Sequence, residues 1–261
     1  MRVVAIIPAR MGSSRFPGKP LAKISGVPMI GHVLKRTEMC ELVSETYVAT
    51  CDEEIADYVV SIGGKSIMTS PLHERCTDRT AEAMLKIEKL TGLRTDIVVM
   101  IQGDEPLVTP GMVEAAVAPL VRDSSIEVVN LMADIEEEKD AEDPNEVKVV
   151  VDLHGNAVYF SREAIPSRKK GGTAVPFRKQ VCIIPFRRES LLEFNALPQT
   201  PLEQMESVDM MRLIEHGKTV KMVPVLNHTV SVDIPADITD AESALMNDPL
   251  WAKYRPEMFA E

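Results

Sequence analysis

The sequence predicts an α/β fold around a central, mostly parallel sheet. Short apolar runs alternate with helix-periodic stretches along the chain, the pattern of strands joined by helical crossovers. The runs VVAIIP and DIVVMI are apolar on both faces, as strands covered by helices on both sides must be. With 261 residues, 45% of them hydrophobic, and no internal repeat, the chain is sized for one large core rather than two small ones.

Taken in order, RVVAIIPA reads as the first strand and PMIGHVLKRTEMC as a helix with Pro28 at its first position. ETYVATC is a second strand. DEEIADYVVSIGG is a helix with Asp52 as N-cap, acids in its first turn and glycines beyond its end. KSIMTS is a short strand, and TDRTAEAMLKIEKLTG a helix capped by Thr77 and closed by Gly92. TDIVVMIQGDEP is the most strand-like run and is expected at the centre of the sheet. TPGMVEAAVAPLVRD follows as a helix with Thr109 as N-cap and Pro110 first.

The second half changes character. VKVVVDLHGNAVYFSR reads as two strands joined by a turn at His154-Gly155-Asn156. IPSRKKGGTAVPFRK, with Arg168, Lys169 and Lys170, is a basic, turn-rich loop expected to be solvated. QVCIIPFRR is a strand. TPLEQMESVDMMRLIEHG is one helix with a full start signal: Thr200 as N-cap, Pro201 first, Glu203 at the capping-box position and Gly217 at its end. KTVKMVPV is a strand, SVDIPADITDAESALM a turn and a last helix, and 249–261 a C-terminal tail.

Composition narrows the function. A net charge of −11 disfavours nucleic acid and anionic membranes as partners, while leaving room for a local basic pocket for a small anion. The four cysteines (Cys40, Cys51, Cys76 and Cys182) form no CxxC pair and no zinc-spaced cluster, so free thiols in a reducing compartment are expected. VVAIIPA is too short to span a membrane and has no leader architecture around it. A soluble, cytoplasmic protein is the expectation.

The loop ARMGSSRFPGKPL places Arg10, Arg15 and Lys19 among glycines and serines directly after a strand. Backbone N–H groups of such a turn can cradle phosphate oxygens, with the cations adding charge-assisted hydrogen bonds. It is not a Walker A loop. Five residues separate Gly12 from Gly18, and Pro20 follows Lys19 where a metal-binding Ser or Thr would stand. Nor is it GxGxxG, which counts against a dinucleotide. Spacing alone leaves a phosphate loop of another type and a solvated surface loop both open. Asp104 falls at the carboxyl end of a strand, where α/β sheets place their ligands, and Asp233 in a turn. Alone, each also reads as a turn or cap residue.

IIPARMGSSRFPGKPL is similar to the signature of the sugar-nucleotide cytidylyltransferases, in particular the 3-deoxy-manno-octulosonate (Kdo) cytidylyltransferase family. PMIGHVLKR, YVATCDEEIA, MTSPLHERCTDRTAE, IQGDEPLV, DPNEVKVVVD with YFSREAIP, PLEQMESVDMMR and SVDIPADI follow in the family's order, so the resemblance spans residues 2 to about 245. It implies a three-layer Rossmann-like nucleotidyltransferase fold in one domain, 1–248. A nucleotide-binding half would lie at about 1–125 and an acceptor-binding, dimerising half at about 145–215. It also implies transfer of CMP from CTP to the anomeric hydroxyl of an acid sugar, with release of pyrophosphate.

By the same resemblance Arg15, Lys19 and Asp104 are catalytic, and Pro8, Ala9, Arg10, Ser14, Arg15, Lys19, Thr77, Asp78 and Arg79 bind the nucleotide. Asp104 and Asp233 share a Mg²⁺ ion. Gln102, Arg162, Lys179, Glu203, Gln204 and Glu206 bind the acceptor, and the protein is a homodimer. Glu203 also has its capping-box role.

This chain departs from the family at several positions. Arg75-Cys76 stands where Ser-Gly usually precedes the base-binding triplet. Lys179 and Ile183 replace the His and Tyr of the family's RHLGIYGY-like strand, and Gln204 replaces the His of LEHIE. The nucleotide half is intact and the acceptor half altered. This points to Kdo or an analogue such as 8-amino-Kdo, with a nonulosonic acid, a phosphonate acceptor, or a non-catalytic nucleotide-binding regulator as alternatives.

Overall fold

The computed structural model describes the chain apart from residues 14, 173–174, 227–229 and 260–261. It divides into two compact units, Met1–Glu114 with Thr229–Glu261, and Ala115–His228.

The first unit opens with β1 (Val3–Pro8), a small hairpin of β2 (Lys23–Ile24) and β3 (Val27–Pro28), and α1 (Met29–Glu38). It continues through β4 (Glu45–Thr50), α2 (Glu53–Ser61), β5 (Ser66–Met68), α3 (Cys76–Thr91), β6 (Ile97–Ile101) and the start of α4 (Pro110–Arg122). β4 and β6 both pair with β1 in parallel, Val4 opposite Glu45 and Val3 opposite Ile97, and β5 extends the sheet beyond β4. Every residue of β1 and β6 is buried, as parallel strands with two covered faces require. β1 takes the middle place, with β4 on one side and β6 on the other, and the DIVVMI run of β6 is the interior strand beside it, in keeping with its burial on both faces.

Helix ends differ in detail from the sequence reading. Pro28 flanks α1 as its N-cap and the last residue of β3, rather than opening the helix. α3 starts at Cys76 with Arg75 before it, so Thr77 lies buried inside the first turn instead of capping it. Thr109 does cap α4: its Oγ1 accepts the Met112 N–H at 3.2 Å. Gly92 closes α3 at φ 70°, a left-handed conformation that suits glycine.

The second unit is a mixed sheet. It contains β7 (Val129–Asp134), β8 (Lys148–Val151), β9 (Ala157–Ser161), β10 (Arg178–Val181), β11 (Ile183–Arg187), helices α5 (Arg188–Ala196), α6 (Pro201–Glu206) and α7 (Met210–Glu215), and β12 (Lys221–Val225). Strand order is β12-β7-β10-β8-β9, with β12 parallel to β7 and the other pairs antiparallel. The expected hairpin is β8–β9, its turn closed by Asp152, whose Oδ1 accepts the N–H groups of His154 and Asn156 at 2.8 Å each. The QVCIIPFRR run is two strands divided at Cys182. The helix expected from Thr200 to Gly217 is two, because Ser207 turns left-handed (φ 53°) between α6 and α7. Arg168 is not simply solvated. Its guanidinium lies 4.3 Å from the centre of the Phe177 ring and donates to the Gly172 and Val175 carbonyls.

The chain then returns to the first unit as α8 (Asp237–Met246) and α9 (Pro249–Met258). The segment read as a tail is therefore largely helical, and its Trp251 and Tyr254 pack with Ile24, Val27, Leu107 and Val232. Arg36, fully buried, pairs with Asp248 and donates to the Tyr254 hydroxyl at 3.1 Å. His32 lies in the same cluster. One ring nitrogen, Nε2, donates to the Ile24 carbonyl at 2.9 Å, so Nδ1 accepts from the Tyr254 hydroxyl at 2.7 Å. Burial, reinforced by the Arg36 charge, lowers the His32 pKa from 6.5 to about 4. The unfolded chain therefore takes up a proton first as pH falls, and stability drops by about 3 kcal/mol from pH 6.5 towards pH 4. The difference in urea unfolding between wild type and a His32 variant, taken at pH 7.5 and at pH 5, isolates this effect from the other titrating groups. Replacing His32 by Gln is expected to flatten the slope.

Candidate nucleotide-binding site

The loop after β1 is held from three directions. The Ala9 N–H donates to the Ala49 carbonyl at 2.9 Å, and the Gly18 N–H to the Met11 carbonyl at 3.0 Å, which closes the loop on itself. Gly18 has φ 74°, a conformation that strains other residues. Asp52 stands before α2 as expected, but its carboxylate does not cap that helix. It accepts the Met11 N–H at 2.8 Å and so ties the loop to the end of β4. No local pattern marks this bond, because Asp52 satisfies the N-cap reading equally well.

Pro8 and Ala9 are buried at the end of β1, and Arg10 is exposed with Nη1 3.4 Å from the His73 carbonyl. Ser14 lies outside the described residues. Lys19 opens a short 3-10 turn and points inward, its side chain 13% exposed. Its ammonium donates to Asp104 Oδ2 at 2.8 Å and to the Val232 carbonyl at 2.9 Å, and lies 3.7 Å from Asp233 Oδ1. Arg15 Nη2 donates to the same Asp233 oxygen at 2.7 Å. Burial works against the Lys19 charge, yet the attraction and hydrogen bond of Asp104, with Asp233 behind them, outweigh it and raise the pKa above its ordinary value.

Backbone geometry explains why two acids so distant in sequence meet. Asp104 follows β6 through Gly103, where a Cβ would stand 3.4 Å from the Pro8 carbonyl oxygen, so the small residue lets this turn lie against β1. The Val232 N–H donates to the Asp104 carbonyl at 3.0 Å, which brings Asp233 alongside. Asp237 then shapes the turn by accepting the N–H groups of Asp233 and Ile234 at 2.7 and 2.9 Å. The backbone carbonyl of the half-buried Gln102 accepts the Glu105 N–H at 3.3 Å. Two carboxylates within 3.7 Å of one ammonium are hard oxygen donors already drawn to a single positive charge. That donor set suits Mg²⁺, which binds one or two carboxylates together with phosphate oxygens and water.

Thr77, Asp78 and Arg79 form the first turn of α3. Arg79 is buried. Its Nη1 donates to Thr69 Oγ1 at 2.5 Å, while its Nη2 is buried with no hydrogen-bond partner among the described residues.

The remaining candidates lie in the second unit. Glu206 is fully engaged: its carboxylate accepts from the Tyr159 and Ser161 hydroxyls at 3.1 Å each and from the Arg162 N–H at 2.9 Å. Arg162 in turn donates to the Glu206 and Pro144 carbonyls at 2.7 and 2.6 Å. Lys179 pairs with Glu146 at 2.8 Å. Gln204 is exposed and reaches the Gln199 side chain. Glu203 is completely buried. Both its oxygens accept from Arg212, at 2.6 and 2.8 Å, and Oε2 also accepts the Thr200 N–H at 3.2 Å in the capping box.

A cationic loop after the first strand of a parallel α/β sheet, facing two converging carboxylates, is an arrangement suited to nucleotidyl transfer, and the comparisons with known proteins make the class a nucleotidyltransferase. A family model described as cytidylyltransferase matches residues 4–220. The chain is 43% identical over 248 residues to a 3-deoxy-manno-octulosonate cytidylyltransferase of Geobacter metallireducens, covering 91% of this chain and 95% of that protein. It is 41% identical over 244 residues to the protein of the same name from Myxococcus xanthus, covering 94% and 96%. Among solved structures it is similar to a CMP:2-keto-3-deoxy-manno-octonic acid synthetase complexed with CTP. The TM-score is 0.85 and the identity 37%, covering 94% of this chain and 99% of the other. The chain belongs to the cytidylyltransferase family. Among the described residues no helix is long and apolar enough to cross a membrane.

Proposed function

We propose that this protein transfers CMP from CTP to the anomeric hydroxyl of a 3-deoxy-2-ulosonic acid, Kdo or an analogue such as 8-amino-Kdo. The observation that carries the reading is the convergence of Arg15 and Lys19 on Asp104 and Asp233. In the reaction the hydroxyl oxygen forms a bond to the α-phosphorus, the bond from that phosphorus to the bridging oxygen breaks, pyrophosphate leaves and the hydroxyl proton passes to solvent. Such a transfer depends on positioning and charge neutralisation rather than on a covalent intermediate. Arg10, Arg15 and Lys19 supply cations to the triphosphate, and Lys19, already oriented by the Val232 carbonyl, follows the charge as it moves to the leaving group. Asp104 and Asp233 would hold Mg²⁺, and the chemistry it would supply is neutralisation of phosphate charge and acidification of the acceptor hydroxyl.

Arg79, with Thr77 and Asp78, is placed at the base. A buried N–H with no partner is costly, and a carbonyl of the cytosine ring would satisfy Arg79 Nη2. Arg79→Lys, which removes that N–H, is expected to raise KM for CTP about tenfold while kcat changes little, read from initial rates at varied CTP.

Gln102, Arg162, Lys179, Gln204 and Glu206 are assigned to the acceptor half. Glu203, enclosed by Arg212, is left out. The names of relatives 41–43% identical over nearly the whole chain support an ulosonic acid as substrate class. A cytoplasmic homodimer formed through residues 145–215 belongs to the same proposal, and light scattering measures its mass. The deciding experiment is pyrophosphate release with CTP and Mg²⁺ against Kdo, 8-amino-Kdo, sialic acid and a simple phosphonate, with the product mass determined. Release with Kdo or its amino analogue, and a product heavier than the acceptor by one esterified CMP, is expected. CTP binding without release for any of the four would overturn the reading.

A further inference from the structure

Glu105 is 3% exposed, although its neighbour Asp104 is turned to the loop lysine. It sits in a tight turn: its N–H donates to the Gln102 carbonyl and its carbonyl accepts the Val108 N–H at 3.1 Å. Its Oε1 accepts from the Ser231 hydroxyl at 3.2 Å. Ser231 is separated from Asp233 by one residue, Val232, whose N–H is bonded to the Asp104 carbonyl and whose own carbonyl takes the Lys19 ammonium. Residues 231–233 are thus fastened to residues 104–105 and to Lys19 by successive directional contacts from side chain and backbone.

Apolar packing alone would not fix this register. Val232 is fully buried among Ile24, Leu107 and Tyr254, but apolar contact is non-directional and tolerates small slides. Hydrogen bonds weaken steeply with misalignment. Burying a carboxylate is unfavourable unless it is hydrogen-bonded, and the loop that Glu105 grips is the one that carries the second acid.

We infer that Glu105 and Ser231 form a clasp that sets the spacing between Asp104 and Asp233, which makes Glu105 a positioning residue for metal binding. This rests on the reading of those two aspartates as the metal carboxylates. The clasp reaches the two aspartates through the backbone that joins them. Its loss should therefore weaken the metal's hold without altering the chemistry once metal is saturating.

The test uses the full-length protein and the variants Ser231→Ala, Glu105→Gln, Glu105→Ala and Asp233→Asn. Two quantities are measured: the Mg²⁺ concentration giving half-maximal pyrophosphate release at saturating CTP, and direct Mn²⁺ binding followed by electron paramagnetic resonance. Ser231→Ala is expected to raise both midpoints about five- to tenfold, with kcat at saturating metal and the thermal midpoint close to wild type. Glu105→Gln keeps an acceptor oxygen for the serine and should retain most of the wild-type response, whereas Glu105→Ala should match or exceed Ser231→Ala. Should Glu105→Ala fail to fold, Ser231→Ala, which deletes one hydroxyl, decides alone. Wild-type metal midpoints in Ser231→Ala, beside a lost response in Asp233→Asn, would reject the clasp and leave the metal reading intact. An unchanged response in Asp233→Asn would reject the metal reading, and the clasp with it.

Discussion

Replacing Lys19 by Gln is expected to lower kcat for CMP transfer by about 10²–10³. The lysine is in contact with both converging acids and with the Val232 carbonyl. Glutamine keeps most of the length and can still donate to that carbonyl, so the variant removes charge rather than shape. Asp104 and Asp233 would then lose the ammonium that both now face, and a leaving pyrophosphate would lose the cation oriented towards it. Lys19→Arg restores the charge but spreads it over a planar fork in place of a compact ammonium, so it should recover only part of the rate. Initial-rate measurement of pyrophosphate release checks this, with circular dichroism to show that each variant is folded.

The largest effect on stability is expected at Arg212. Its guanidinium is the charge partner of Glu203, with side chains 3% and 0% exposed. Arg212→Met leaves a carboxylate buried without that cation and should cost about 3–5 kcal/mol. The double variant Arg212→Met with Glu203→Leu removes both charges and should regain most of that loss, because an apolar pair of similar volume avoids desolvating either ion. Urea unfolding of the two variants and the wild type measures both values. The folded double variant also tests Glu203 directly. An unchanged acceptor KM is expected, whereas a sharply raised one would return Glu203 to the acceptor site.

How far the sequence could be read depended on the range of the contact involved. Features set by near neighbours were legible: the alternation of β1, β4, β5 and β6 with α1–α4, the Thr109 cap, the Glu203 half of the capping box and the Asp152-closed hairpin. Features set by distant partners were not. Asp52 looks like a helix cap and is one by position, but its carboxylate is claimed by Met11. The 200–217 stretch has continuous helical periodicity, and only the left-handed turn at Ser207 reveals the break. β7 carries a buried Asn130, which lowers its apolar signal. The amide donates to the Val181 carbonyl, a partner invisible within the strand itself. At the site, the loop cations and the two acids could be named individually from the sequence. Their meeting depends on the Val232 to Asp104 backbone bond and on the return of α8 and α9 to the first unit, and neither leaves a local pattern.

Diffraction from crystals grown with CTP and Mn²⁺ tests the central claim most directly, because anomalous scattering locates the ion independently of the nucleotide. We expect one manganese ion bound by carboxylate oxygens of both Asp104 and Asp233, with Arg15 and Lys19 moved onto phosphate oxygens. A nucleotide bound elsewhere, or an ion held without Asp233 while Arg15 keeps its present bond to that residue, would contradict it.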